Sequence, residues 1–134
     1  MITKYLIPYL IATPIFFIID MLWLGVIAKP IYQKYIGHLL AEQTKWGAAI
    51  IFYLLFIAGL VIFAITPALE KGAWWYAVVY GALFGFFAYM TYELTNYAVL
   101  KDWPLGIVWI DILWGTILGA VVSGLAYYFV KLIL

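Results

Sequence analysis

Three carboxylates stand where carboxylates are costly. Asp20, Glu93 and Asp111 each interrupt a long apolar run, and an ionisable group in hydrocarbon costs roughly 2.5 to 3.5 kcal/mol even on lenient insertion scales. Two of them share a pattern, Asp20-Met21-Leu22-Trp23 and Asp111-Ile112-Leu113-Trp114, and the third begins the polar stretch Glu93-Leu94-Thr95-Asn96. An acid and an indole three residues apart lie on one helical face. Asp20 is therefore expected beside Trp23, Asp111 beside Trp114, and Glu93 beside Tyr89 and Asn96. Turned inward together, with Thr95, Asn96, Tyr89 and the two indole N–H groups lining the same space, they would form a ligand- or proton-binding site. Such a site suits a proton relay, or an amine or hard cation held by carboxylates and aromatic faces. The same groups could also serve as general acid and base.

The composition narrows the chemistry further. The chain has 134 residues, 69% of them apolar and 10% charged, too few charges to cover a water-soluble exterior. All seven basic residues are lysine and the net charge is +1, which leaves no basic face for nucleic acid. There is no cysteine and a single histidine, His38, so neither a thiolate nor a multi-histidine metal site can be built within one chain. No metal or other cofactor is expected.

The elements that must position the acids are four apolar runs, residues 5–28, 46–66, 73–100 and 104–133. Each meets the ~20 residues needed to cross a bilayer core of ~30 Å, and in lipid each must be a helix. The fold class is all-α: one domain over residues 1–134, an integral membrane four-helix bundle. The first run is too long for a secretory signal core and contains Asp20, which favours a retained helix. Pro14 should cost that helix a backbone hydrogen bond and kink it. Residues 29–45 should form a short interfacial helix with an apolar stripe at Ile31, Tyr35 and Leu39. Its Lys34 and His38 are candidate gate residues. Residues 67–72 and 101–104 are expected as tight turns, making successive spans antiparallel.

Gly81-xxx-Gly85 and Gly115-xxx-Gly119-xxx-Ser123 predict close packing of the third and fourth spans. The order acid, polar or aromatic residue, lysine and Trp-Gly occurs in each half of the chain, suggesting two related helical hairpins. In an up-down-up-down path the three acids all lie roughly 10 to 14 Å below the surface that carries the 29–45 link.

The residues Asp20-Met-Leu-Trp23-Leu-Gly25, Trp46-Gly47-Ala48, Tyr92-Glu93-Leu94-Thr95-Asn96, Trp103-Pro104 and Asp111-Ile-Leu-Trp114-Gly115 resemble a bacterial family of predicted membrane proteins, domain of unknown function 2177. The resemblance spans essentially the whole chain. It implies a multi-pass protein of the bacterial inner membrane and brings no activity or catalytic residue with it.

Three functions compete. The leading one is binding or transport of a small cationic or protonatable ligand, or of protons, with the bilayer as surroundings and a homodimer expected if a gated path is needed. The second is a membrane enzyme acting on a lipid or other apolar substrate, and the third is a non-enzymatic assembly subunit. Lysines are nearly balanced across the two sides, which leaves orientation open.

Overall fold

The computed structural model describes residues 2–134, and among them there are helices and no strands. Helix α1 (Thr3–Leu22) passes through a π turn at Trp23–Ile27 into α2 (Lys29–Ile36), which ends in a 3₁₀ turn at Gly37–Leu39. Helix α3 (Trp46–Leu60) passes through a second π turn at Val61–Ile65 into α4 (Thr66–Lys71), followed by α5 (Trp74–Val99) and α6 (Leu105–Ile133). Four segments are long and apolar enough to span a bilayer: Thr3–Ile27, Trp46–Lys71, Trp74–Val99 and Leu105–Ile133. The protein is an all-α membrane bundle, with α2 as the short helix between the first two spans.

One detail differs from the sequence reading. The second span does not stop at residue 66: Pro67 lies in the first turn of α4, the helix runs on to Lys71, and the chain reverses at Gly72, whose φ is +63°. A proline lacks only its N–H, and the first turn of a new helical segment can spare one. The positive φ explains why glycine holds the turn. In the first span, the helix continues unbroken through Pro8 and Pro14. A π turn follows at Trp23–Ile27.

The spans alternate in direction. At one end the Thr66 hydroxyl donates to the Lys4 carbonyl (2.8 Å) and Lys4 meets Glu70 at 3.4 Å. At the other end α2 lies across the start of α6. Ile36 packs with Trp103, Ile107, Val108 and Ile112, and the Tyr35 ring fills the space above Gly106 that a Cβ would need.

Helices α5 and α6 approach most closely. A Cβ at Gly85 would fall on the Gly115 carbonyl, and one at Gly119 would fall on that of Gly81. Without a hydrophobic driving force between helices in lipid, such backbone contact is a main source of association. The first hairpin is built differently. In α3 no residue from 46 to 52 is buried, whereas Tyr53, Phe56, Ile57, Gly59 and Leu60 are. Tyr53, Phe56, Ile57 and Leu60 join Ala12, Phe16, Leu118 and Val122 in the main core. The second span thus grips the bundle by its later half only and stands away at its start. The two hairpins share an order of residues without sharing a mode of packing.

Candidate functional site

The space left by the start of α3 is a cavity of about 840 Å³. All four spans and α2 contribute to it. Asp20 and Trp23 come from the first span, Tyr53 from the second, Tyr89 and Tyr92 from the third, Asp111 and Trp114 from the fourth, and Tyr32 from α2. Counting ~1.5 Å per residue inward from Ile27 and from Leu105, Asp20 and Asp111 both lie ~10 Å below the same ends of their spans.

Hydrogen bonds tie these groups into a crossed pair. Trp114 Nε1 donates to Asp20 Oδ1 at 3.2 Å. Trp23 Nε1 donates to the Tyr32 hydroxyl at 3.2 Å, and that hydroxyl donates to Asp111 Oδ1. Between the two arms the indoles stack, with centroids 4.4 Å apart and planes 8° from parallel. The tryptophan of each Asp-x-x-Trp pattern therefore serves the acid of the other, directly in one arm and through a phenol in the second. Burial, and after it the Asp111 charge, push the Tyr32 phenol above its ordinary pKa of 10.0. Tyr32 is accordingly a hydrogen-bond donor across the neutral range.

Glu93 stands behind this wall rather than in it. Its side chain is fully enclosed, and Oε1 accepts a 2.7 Å hydrogen bond from Trp103 Nε1. Its Oε2 has no donor among the described residues, and the Asp111 carboxyl group is a neighbour of the Glu93 side chain. Trp103 is folded back over Glu93, packs edge-on against Tyr92 and itself borders the cavity. No group of three or more His, Asp or Glu side chains close enough to hold a metal ion occurs among the described residues.

The residues singled out from sequence divide clearly by position. Asp20, Trp23, Tyr89, Asp111 and Trp114 line the cavity. Glu93 does not border it and is joined to it through Trp103. Thr95 is exposed and Asn96 half-buried, and neither borders the cavity. Lys34 and His38 are exposed on the 29–45 link and lie outside it. Lys29 is the basic residue at the rim.

Sequence reasoning missed Tyr32, Tyr53 and Trp103. The signal for Trp103 was its place beside Pro104 at the mouth of the last span. Tyr53 lies three residues before the buried Phe56 in an otherwise apolar run. Tyr32 gave no signal of its own.

A family model described as "Predicted membrane protein (DUF2177)" matches residues 5–128. No curated protein and no solved structure matches the chain.

Proposed function

The chain belongs to the DUF2177 family of predicted membrane proteins, and from the cavity between its spans we propose that it binds a small cationic or protonatable ligand at Asp20 and Asp111, in a bacterial inner membrane. The observation that carries this reading is the meeting of two carboxylates from the first and last spans on one cavity wall, each held through Oδ1. Ionisable groups within a membrane nearly always face protein or a polar cavity and mark a pathway or a site. Among the described residues Lys29 is the one basic residue bordering this cavity, so a ligand would supply the further positive charge that two acids call for. The faces of Trp23, Trp114, Tyr53 and Tyr89 add cation–π attraction, and the cavity volume is within the range of small-molecule sites.

Phenethylamine, a primary amine with an aromatic ring, is a suitable probe for the purified protein in lipid nanodiscs. Binding is read by thermal stabilisation and by native mass spectrometry. Asp20→Asn and Asp111→Asn should each weaken it by about tenfold or more, the worth of one charged hydrogen bond, while the apo proteins remain folded. Unchanged affinity in both folded variants would sink the reading.

A second reading, acid/base chemistry on a membrane substrate, draws on the Tyr32–Asp111 hydrogen bond, which sets a proton donor against a carboxylate. Product formation from a lipid extract, abolished by Asp111→Asn, would favour it. Movement of a ligand or of protons across the bilayer would extend the first reading and calls for a second copy of the chain.

A further inference from the structure

Along one flank the cavity is bordered by residues that are themselves exposed. Met21 and Gly25 of the first span, Trp46 and Phe52 of the second and Tyr92 of the third all border it, and each is exposed, Met21, Phe52 and Tyr92 by 37%, 46% and 55%. Met21 stands six residues inside Ile27, Phe52 six inside Trp46, and Tyr92 seven inside Val99. At ~1.5 Å per residue these three lie ~9 to 10 Å within the spans, where the surroundings are acyl chains rather than water, while Gly25 and Trp46 continue the frame outward to the span ends. Exposed residues of the 29–45 link, Lys29, Leu40 and Thr44, border the cavity as well, so it also reaches the aqueous side, beside an α2 that is fastened by Tyr32 to Asp111 and by Tyr35 over Gly106.

The walls carry a second sign. Asp20, Asp111 and Lys29 are the charged residues bordering the cavity, and the rest of its surface is largely aromatic and aliphatic. A free inorganic cation would leave most of that surface uncovered. Resting on the proposed reading of Asp20 and Asp111, we infer that the ligand is an amphiphile drawn from one leaflet. Its amine headgroup sits at the two carboxylates, and its hydrocarbon chain leaves through a side opening between the first and second spans. The chain keeps the ligand in the leaflet beside the opening, and the amine supplies orientation.

Gly25 gives a way to close the opening without touching the carboxylates. A Cβ there would meet nothing within 4 Å, and since the protein has no cysteine, Gly25→Cys creates a unique thiol. The probes are dodecylamine and ethylamine, titrated in nanodiscs before and after labelling with a benzyl methanethiosulfonate reagent. Dodecylamine should bind the unlabelled variant at least about tenfold more tightly than ethylamine at equal total concentration, because its chain concentrates it in the leaflet from which the opening is reached. Labelling should weaken dodecylamine by about tenfold and ethylamine by less than about twofold, and reduction of the label should restore the original affinity. Equal affinity for the two amines, or dodecylamine binding untouched by the label, would overturn the amphiphile. Failure of both amines to bind, or binding of both unaltered by Asp20→Asn and Asp111→Asn, would instead remove the carboxylate reading beneath it.

Discussion

Trp23 and Trp114 lie face to face at 4.4 Å, although they occupy corresponding positions of one pattern on the first and last spans. The stack joins the two acid arms, but the hydrogen bonds on either side of it are not equivalent. Trp114 is the N–H donor to Asp20, whereas Asp111 keeps the Tyr32 hydroxyl whatever happens to Trp23. Trp114→Phe retains an aromatic face and strips a buried carboxylate of its donor, so it should cost about 1 to 3 kcal/mol. Trp23→Phe should cost about 0.5 to 1.5 kcal/mol, the net worth of an ordinary hydrogen bond. Unfolding of the two variants in mild detergent measures both. Equal losses would assign the stability to the stack alone.

Tyr32 gives a pH dependence with a definite sign. Its folded pKa is raised above 10.0 by burial first and by the Asp111 charge second, so above pH ~10 the unfolded chain releases this proton before the folded one does. The folded state then holds more protons, and stability falls as pH rises. The contribution is fully present below the unfolded pKa and is lost as pH climbs through the folded value. Tyr32→Phe should be less stable than wild type at pH 8 and should lose less stability between pH 9 and 11, as followed by circular dichroism. A parallel decline in both proteins would contradict the assignment.

The spans and the cavity acids were legible in the sequence for different reasons. Span positions come from run length, which lipid enforces through the backbone. Asp20, Asp111 and their tryptophans come from a three-residue spacing that any helix turns to one side. Tyr32 could not be found in this way. It is one residue away from the Ile31, Tyr35 and Leu39 stripe, and the π turn at Trp23–Ile27 adds a residue to a turn and so rotates α2 about the helix axis, a shift that a 3.6-residue period does not register. Thr95 was separable in principle, since two residues along a helix carry it about 200° around from Glu93. Asn96 fails for a tertiary reason: Trp103, from beyond the third span, occupies the hydrogen-bonding place at Glu93.

Glu93 should behave as a supporting group whose shape matters more than its charge. Glu93→Gln keeps a carbonyl oxygen for Trp103 and replaces Oε2, which has no donor among the described residues, by an amide that needs none. Its stability should stay within about 0.5 kcal/mol of wild type or exceed it. Glu93→Leu leaves the Trp103 N–H without its acceptor and should cost about 1 to 3 kcal/mol. The comparison is made by chemical unfolding in the same detergent. A glutamine variant as damaged as the leucine one would show that the carboxyl group itself is required.

The glycine contacts between α5 and α6 predict a contrast between sites of identical residue type. At Gly85 a methyl group would meet the Gly115 backbone, which cannot swing aside as a side chain can, so Gly85→Ala must push the helices apart. A cost of about 1 to 3 kcal/mol is expected for overpacking of this kind. At Gly47, near the start of α3, nothing lies within 4 Å of an added Cβ. There alanine relieves the entropic cost of glycine in a helix and should stabilise by up to about 1 kcal/mol. Because α3 stands away from the bundle at that end, Gly47→Ala should also leave amine binding unaltered, whereas Gly85→Ala should weaken it by shifting α6 and Asp111 together. Unfolding curves and phenethylamine titrations on the two variants test both halves of the contrast.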